Sequence, residues 1–187
     1  GADIRMIYST QDALQIARRN PDCEVVFFAI GFETTTPPTA VAIAQADREG
    51  LANFSVFSNH VLTPAAIAHI LVSPEYASGS VGIDGFLGPS HVSSVIGSKP
   101  YEAAAETFRK PVVIAGFEPL DVMQASLMLI RQINEGRHEV ENEYTRVVTR
   151  DGNVKAQRLV DEVFELRPAF EWRGLGSVPE SALAIRS

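Results

Sequence analysis

An apolar run that ends in Gly-Phe-Glu, followed by threonines and prolines, is the feature that most constrains the fold of this chain. Val25 to Ile30 is rich in β-branched and aromatic side chains, which predicts a strand covered on both faces, as parallel sheets require. Gly31 permits a sharp turn, and Thr36 is expected to cap a helix that begins with two prolines. The turn therefore lies at the carboxyl end of a strand, where open α/β sheets place ligand sites.

The same pattern of strand, Gly-Phe-Glu, proline and helix recurs at Gly116. A second repeated pattern, His-Val after a strand and a small polar residue, occurs at His60 and at His91. Two copies of one turn are harder to attribute to chance than a single copy. Because strands alternate with helices, right-handed crossovers and parallel sheets are expected. The predicted fold class is α/β, with two similar Rossmann-like lobes facing a cleft and a smaller C-terminal α+β segment.

Periodicity and turn signals predict the remaining elements. Further strands are predicted at 4–8, 54–57, 83–87, 111–115 and 144–149. Helices are predicted at about 9–19, 37–49, 63–71, 100–108, 121–135 and 154–164. Loops are predicted at 58–61, 88–94 and 171–179, and the strongest linker signal lies at 73–82.

This order of elements predicts three regions. The first α/β lobe covers 1–78, the second covers 79–140, and a C-terminal segment covers 141–187. The chain opens at Gly1 without a methionine and enters a strand-like stretch at once, so we expect a piece of a longer protein with a first lobe incomplete at its N-terminus.

Charge and cysteine content argue against several classes of function. The net charge is -7 and no cluster of lysine or arginine stands out, so nucleic-acid binding through phosphate neutralisation is not expected. No apolar run approaches the length of a membrane span, and we expect a cytoplasmic protein. Cys23 is the only cysteine, so this chain alone forms no intrachain disulfide and no cysteine-rich metal site.

Candidate site residues lie on the two turns and on the loop expected at 88–94. Glu33 either caps its turn or contacts a ligand, and Glu118 either favours the positive end of the next helix or polarises a ligand. His91 is expected on a tight loop, where a neutral imidazole can coordinate a metal or shuttle protons, or else hydrogen-bond within the loop. Neither a dinucleotide-binding glycine motif nor a P-loop is present.

Five motifs together resemble the HypD family of hydrogenase maturation proteins, over essentially the whole chain. They are Gly-Phe-Glu-Thr-Thr at 31–35, Phe-Leu-Gly-Pro-Ser-His-Val-Ser at 86–93, Gly-Phe-Glu-Pro-Leu-Asp at 116–121, Glu-Asn-Glu-Tyr-Thr-Arg at 141–146 and Trp-Arg-Gly-Leu-Gly at 172–176. Each motif alone is a weak signal, whereas the set is specific.

The resemblance implies a scaffold for assembling the Fe(CN)2CO moiety of nickel-iron hydrogenases, with redox-active thiols in the longer protein. It implies iron carrying cyanide and carbon monoxide, and a 4Fe-4S cluster whose ligands are absent from this chain. The implied partners are a small HypC-type chaperone and cyanide-donating proteins of the HypE and HypF type. The family's iron-binding cysteine is expected before Gly1 and its cluster cysteines largely beyond Ser187, and Cys23 matches no family motif.

The motifs carry family roles onto particular residues. His91 corresponds to the family's histidine near the iron site. The residues expected to line the cleft are Gly31, Glu33, Thr34, Thr35, Ser90, Ser93 and Glu118. Threonine hydroxyls are suited to hydrogen-bond cyanide nitrogens around such an iron.

The alternative interpretation is an independent α/β small-molecule-binding domain or enzyme, whose cleft holds an anionic metabolite at helix N-termini.

Overall fold

The computed structural model describes residues 1–186 and confirms the predicted α/β class. The helices are α1 Thr10–Arg19, α2 Thr36–Glu49, α3 Thr63–Leu71, α4 Pro74–Ala77, α5 Ser90–Ile96, α6 Glu102–Phe108, α7 Pro119–Asn134 and α8 Val154–Val163. The strands are β1 Val25–Gly31, β2 Phe54–His60, β3 Phe86–Pro89, β4 Val112–Ala115, β5 Val140–Asn142, β6 Phe164–Leu166, β7 Ala169–Trp172, β8 Gly176–Pro179 and β9 Leu183–Ile185. A single 3₁₀ turn at Lys99–Tyr101 leads into α6.

Two parallel sheets form the α/β part of the molecule. In the first, β1 pairs with β2, and the register places Gly31 opposite His60. In the second, β4 lies between β3 and β5, and all three strands are parallel. The C-terminal part adds two antiparallel pairs, β6 with β9 and β7 with β8. The carboxyl ends of β1 and β4 carry the two Gly-Phe-Glu turns.

Helix α3 follows the first sheet in the chain but packs against the second sheet. Its Ile67 and Leu71 lie in one buried cluster with Tyr101, Val112 and Ile114. The cluster contains strand β4 together with the chain around the 3₁₀ turn. Helix α3 therefore connects the two sheets through apolar burial, the dominant favourable contribution to folding.

The last residues of the described chain pack beside the first sheet. Phe164 and Leu183 are buried against Ala40 of α2. The Ser58 hydroxyl donates to the Leu183 carbonyl at 3.2 Å, and Val61 forms an antiparallel bridge with Ala182. The edge of β2 is thus covered by β9.

Strand β1 is not covered on both faces, which corrects the expectation from its apolar run. Val26, Phe28 and Ile30 are each more than half exposed, whereas Ala29 on the opposite face is fully buried. Phe28 stacks on Phe57 of the neighbouring strand with ring centroids 5.7 Å apart. In the described residues, α1 and α2 contribute buried side chains to one side of this sheet only.

Two predicted strands do not form. Residues 4–8 are irregular and mostly exposed, and among the described residues they have no pairing partner. β-propensity alone is too weak to hold a strand without cross-strand neighbours. Residues 144–149 form a turn instead, because the N–H groups of Val147 and Val148 both donate to the Tyr144 carbonyl.

Three predicted loops are regular elements. Strand β2 continues through the expected turn at 58–61 as far as His60, because the parallel ladder pairs that residue with Gly31. Residues 90–96 form helix α5, whose first turn is tied by a bond from the Ser93 hydroxyl to the Pro89 carbonyl. The glycine-rich stretch at 171–179 lies within the β7–β8 hairpin, since Gly174 and Gly176 supply the positive φ angles of its turn. Strand β3 starts at 86 rather than 83.

Helix α7 presents an apolar stripe to solvent. The exposed side chains at three- and four-residue spacing are Leu120, Met123, Leu127 and Ile130. The opposite side of the helix buries Ala125 against Val113 and Ala115 of β4.

None of the helices formed by residues 1–186 combines the length and the apolar character needed to cross a membrane.

Candidate functional site

The first Gly-Phe-Glu turn holds a buried carboxylate. Glu33 is only 4% exposed, and its two oxygens accept the backbone N–H of Thr63 at 2.6 Å and the Thr63 hydroxyl at 2.9 Å. Thr63 is the first residue of α3, so Glu33 binds the N-terminus of a different helix from the one that its own turn opens. Burial raises the pKa of Glu33 above its usual 4.5, and the hydrogen bonds from Thr63 act in the opposite direction.

Gly31 allows the close packing inside this turn. Its φ angle is 145°, and a Cβ atom at this position would lie 2.3 Å from the Thr35 hydroxyl oxygen. The Thr35 hydroxyl donates to the Phe32 carbonyl at 2.9 Å. The residue that caps α2 is Thr35 and not Thr36, and no side chain accepts a cap hydrogen bond there. Because prolines are the second and third residues of the helix, it has fewer N–H groups that need a cap.

The hydroxyls of Thr36 and Thr34, on either side of Thr35, differ in their hydrogen bonding. Thr36 is buried, and its hydroxyl donates to the Glu33 carbonyl at 2.9 Å. Thr34 is half-buried, and in the described part of the chain its hydroxyl forms no hydrogen bond.

His60 lies directly beneath this turn at the end of β2. It is 1% exposed, with Nδ1 at 3.3 Å from the Thr35 hydroxyl and Nε2 at 3.1 Å from the Thr39 hydroxyl. Phe164 packs edge-on against the imidazole with ring centroids 5.9 Å apart. Burial lowers the pKa of His60 below its usual 6.5, so the neutral ring is favoured.

His91 occupies the first turn of helix α5 and is exposed. This corrects the expected loop position, although the residue still directly follows the carboxyl end of β3. Its ring lies 5.2 Å from that of Phe117 at an interplanar angle of 40°. Within the described residues neither ring nitrogen takes part in a hydrogen bond. The imidazole is therefore accessible for binding and packed on one side by the second Gly-Phe-Glu turn.

Two serines near His91 are buried. The Ser93 hydroxyl is bonded to the Pro89 carbonyl, and Ser90 Oγ has no partner among the described residues. The Tyr101 hydroxyl is likewise buried without a partner there, and burial raises the pKa of Tyr101 to about 12. Buried polar atoms are normally hydrogen-bonded. The hydroxyls of Ser90 and Tyr101 are therefore two unsatisfied polar groups in the interior near helix α5.

The second Gly-Phe-Glu turn is built differently from the first. Glu118 precedes α7, its side chain is 78% exposed, and Arg146 reaches it at 3.4 Å. Arg146 also donates to Asp121 at 2.6 Å, a bond that lowers the pKa of Asp121, and its guanidinium lies 4.0 Å from the Tyr144 ring centroid. A Cβ atom at Gly116 would lie within 2.6 Å of both Asp121 and the Tyr144 ring. The second turn is thus tied to the chain that follows β5.

A cavity of about 490 Å³ lies beside helix α8. Glu33, Thr36 and Leu62 line it near the first Gly-Phe-Glu turn, and Ile96 and Pro100 line it near the end of α5. In residues 1–186 no hydrogen bond or ion pair joins the first turn to His91 or to Glu118. The structure therefore groups Glu33 with Thr63 and Thr35 with His60, and groups His91 with Phe117.

The partners that hold these groups in place are not predictable from local sequence. The roles of Thr63 and His60 depend on the pairing of β1 with β2. The role of Arg146 depends on a turn at residues 144–149, where the sequence predicts a strand. The repeated His-Val pattern indicates that His60 follows a strand, but it does not predict which residues His60 contacts.

The described residues do not by themselves form a complete metal centre. Among them, no group of three or more histidine, cysteine, aspartate or glutamate side chains could hold a metal ion. A 4Fe-4S cluster takes cysteine thiolates as ligands, and the one cysteine, Cys23, is exposed. The residues present here do not fit that cluster.

Comparison with known proteins gives a consistent match. Residues 1–187 match the HypD family model, described as the hydrogenase formation hypA family. The chain is 68% identical over its full length to a hydrogenase maturation factor HypD of Cupriavidus necator, of which it covers 50%. It is 67% identical over its full length to the corresponding factor of Rhizobium leguminosarum bv. viciae, covering 49% of it. For the factor of Escherichia coli the identity is 44%, over 99% of the chain and 48% of the relative. The chain thus spans about half the length of these relatives.

Proposed function

Because this chain belongs to the HypD family of hydrogenase formation proteins, we propose that it forms part of a scaffold on which the Fe(CN)2CO moiety of nickel-iron hydrogenases is assembled. In this proposal the iron and its diatomic ligands are the cargo that the protein holds while it is built. The chain supplies one imidazole and the polar lining of the cleft. The thiolate that completes the site comes from the other half of the longer protein.

The observation that carries the proposal is the exposed imidazole of His91. Its ring nitrogens are free of hydrogen bonds within the described residues, and the Phe117 ring restrains it at 5.2 Å. Imidazole and thiolate are suitable ligands for iron. The packed Phe117 ring limits the orientations that the His91 ring can adopt. His91 can therefore bind iron together with a thiolate from elsewhere in the protein.

The first turn has the chemistry to contact the cyanide groups of such a cargo. Gly31, Glu33, Thr34 and Thr35 form this part of the proposed cleft lining, and Ser90, Ser93 and Glu118 belong to the side near His91. Cyanide nitrogens are hydrogen-bond acceptors, so hydroxyl groups suit them. Glu33 takes part through the position it gives the turn, because both its oxygens are already bonded to Thr63.

Partners follow from the same proposal. A small HypC-type chaperone would share the cargo, and proteins of the HypE and HypF type would supply cyanide. The other half of the longer protein would carry the 4Fe-4S cluster and the redox-active thiols, and assembly would take place in the cytoplasm.

The alternative, an anionic metabolite held at helix N-termini, is less well supported by the geometry. The N-terminus of α3 already receives the Glu33 carboxylate, and that of α7 receives Asp121, which accepts the Glu118 N–H at 3.3 Å. Helix α2 begins with Thr-Pro-Pro and so offers few free N–H groups. These helix ends leave little room for a bound anion.

Anaerobic iron loading of the full-length protein with its HypC-type partner tests the proposal. We expect His91→Ala to lose most of the bound iron and the cyanide and carbonyl infrared bands, while its melting temperature stays unchanged because the side chain is exposed. His138→Ala is the matched control, since this histidine lies outside the proposed site, and it should load like the wild type. Normal loading and normal hydrogenase maturation by His91→Ala would contradict the role of His91.

A further inference from the structure

Three buried polar atoms near the second sheet have no hydrogen-bond partner among the described residues. They are Ser90 Oγ, the Tyr101 hydroxyl and Asn142 Oδ1. Ser90 is 2% exposed, and Tyr101 is fully buried. A buried donor or acceptor without a partner costs free energy, so protein interiors pair such atoms with other protein groups or with ordered water. Each of the three atoms therefore needs a partner.

The register of the second sheet places Asn142 on the same side as Tyr101. Asn142 pairs with Ile114 in the parallel ladder between β4 and β5, so the two side chains point to the same face. Ile114 lies in the buried cluster that contains Tyr101 and Val148. The Asn142 amide nitrogen donates to the Val148 carbonyl at 2.7 Å, which identifies Oδ1 as the unpaired atom. Asn142 therefore faces the cluster of Tyr101 at the carboxyl end of β5.

Helix α5 brings Ser90 to the same region. Ser90 and Ser93 are three positions apart and both buried, so they share the inner face of the helix. Burial raises the pKa of Tyr101 to about 12, and the Ser93 hydroxyl is close enough to act in the opposite direction. The Tyr101 hydroxyl thus lies beside the face of α5 that carries Ser90.

Water has the chemistry that these atoms require. The Asn142 oxygen can only accept a hydrogen bond, whereas each of the two hydroxyls can donate or accept. A buried water typically makes about three hydrogen bonds to polar groups that otherwise have no partner. An anion is less suitable, because the amide oxygen offers it no proton.

We propose that buried water binds Ser90 Oγ, the Tyr101 hydroxyl and Asn142 Oδ1, and so joins the start of helix α5 to strand β5. His91 directly follows Ser90 in the first turn of that helix. The water therefore fixes the backbone from which the exposed imidazole projects. The three side chains are positioning residues for His91, and their effect on bound iron rests on the proposed function.

The sign of one stability change tests the water site without any cargo. If the Tyr101 hydroxyl has no partner, its removal should stabilise the full-length protein, because the cost of burying it disappears. If it binds water, Tyr101→Phe should lower the folding equilibrium constant by about fivefold, the effect of one lost hydrogen bond. We expect this loss in urea unfolding, whereas Tyr8→Phe removes an exposed hydroxyl and should change nothing. Unchanged or higher stability of Tyr101→Phe would overturn the proposal.

A double-mutant cycle shows whether two of the atoms share the water. The losses caused by Tyr101→Phe and Ser90→Ala should not add, because each change disrupts the same hydrogen-bonded group. Ser55→Ala is the matched control, since Ser55 is exposed on β2, and its effect should add to that of Tyr101→Phe. Additive losses for Tyr101→Phe and Ser90→Ala would overturn a shared site.

A crystal structure of the full-length protein gives a direct view. We expect ordered water within hydrogen-bond distance of the Ser90, Tyr101 and Asn142 side chains. Direct bonds among these side chains, with no water between them, would overturn the site.

Infrared spectra test the effect on His91. In the iron-loaded complex with the HypC-type partner, Tyr101→Phe should shift the cyanide and carbonyl bands at a temperature where the variant is fully folded, and Tyr8→Phe should leave them in place. Unshifted bands in Tyr101→Phe would overturn the positioning of His91. If the wild-type protein loads no such iron, the proposed function fails, and the stability measurements still decide whether the water site exists.

Discussion

Glu33 and Thr63 are joined by two hydrogen bonds, in which the carboxylate accepts both the backbone N–H and the hydroxyl of the threonine. The pair connects the turn after β1 to the first residue of α3. Helix α3 in turn packs in the buried cluster of the second sheet. A single buried carboxylate thus couples the turn after β1 to the buried cluster of the second sheet.

Replacing Glu33 by Ala should lower the free energy of unfolding by about 1–3 kcal/mol, because the N–H and hydroxyl of Thr63 lose their buried partner. Glu33→Gln should recover most of this loss, since its oxygen accepts the N–H and its NH₂ group can donate to the hydroxyl. Urea unfolding of the three proteins measures the difference. Glu106→Ala is the control and should change stability by less than about 0.5 kcal/mol, since that side chain is exposed. Equal losses for the Ala and Gln variants of Glu33 would show that its charge, and not its hydrogen bonding, matters.

His60 should make stability depend on pH. Burial places its pKa in the folded protein below the usual value of 6.5, so between these two values the unfolded chain binds more protons than the folded one. The contribution of the neutral ring is fully present above pH 6.5 and is lost as the pH falls through the folded pKa. His60→Gln should have a flatter stability profile below pH 6.5. Parallel profiles in chemical denaturation would contradict a buried neutral histidine.

Gly116→Ala should destabilise the second turn. The added Cβ atom would approach Asp121 and the Tyr144 ring closer than any normal contact, and overpacking of this kind costs about 1–3 kcal/mol. Gly82→Ala is the matched control, because nothing lies within 4 Å of its Cβ position. The control should be neutral or more stable by about 0.4–1 kcal/mol, since alanine restricts the unfolded chain. Thermal unfolding of both variants provides the comparison, and similar melting temperatures would show that the ring and carboxylate move aside freely.

The apolar stripe of α7 should govern solubility more than stability. Leu120→Gln combined with Met123→Gln removes exposed apolar area and leaves the buried Ala125 side of the helix intact. We expect the free energy of unfolding to change by less than about 0.5 kcal/mol, while the tendency to self-associate falls. Light scattering together with urea unfolding distinguishes the two effects. A large loss of stability would mean that the stripe is packed rather than exposed.

Local sequence signals predicted the elements that are stabilised locally. Helix α1 begins at a Ser9 capping box, and α2 ends at Gly50 in the left-handed conformation, as their residue types indicate. The alternation of strands and helices likewise predicted the parallel sheets. By contrast, residues 144–149 have aromatic and β-branched composition, yet turn back on themselves where Arg146 packs on Tyr144 and pairs with Asp121.

The candidate site could be predicted only in part for the same reason. The position of Glu33 after a strand follows from neighbouring residues. Its partner Thr63 and the contact of Thr35 with His60 follow from the register of β1 against β2, which sets Gly31 opposite His60. Register depends on the whole buried surface of a sheet and is not a local property. The roles of individual hydroxyls therefore became visible only in three dimensions.

The bond between Ser58 and Leu183 spans 125 positions of the chain and has a consequence for biosynthesis. While the chain emerges from the ribosome, the edge of β2 and the His60 ring remain uncovered until residues 164–185 have been translated. Contacts of such high sequence separation slow folding and leave strand edges open to misassembly. The first sheet is therefore open to misassembly until the C-terminal segment has been made.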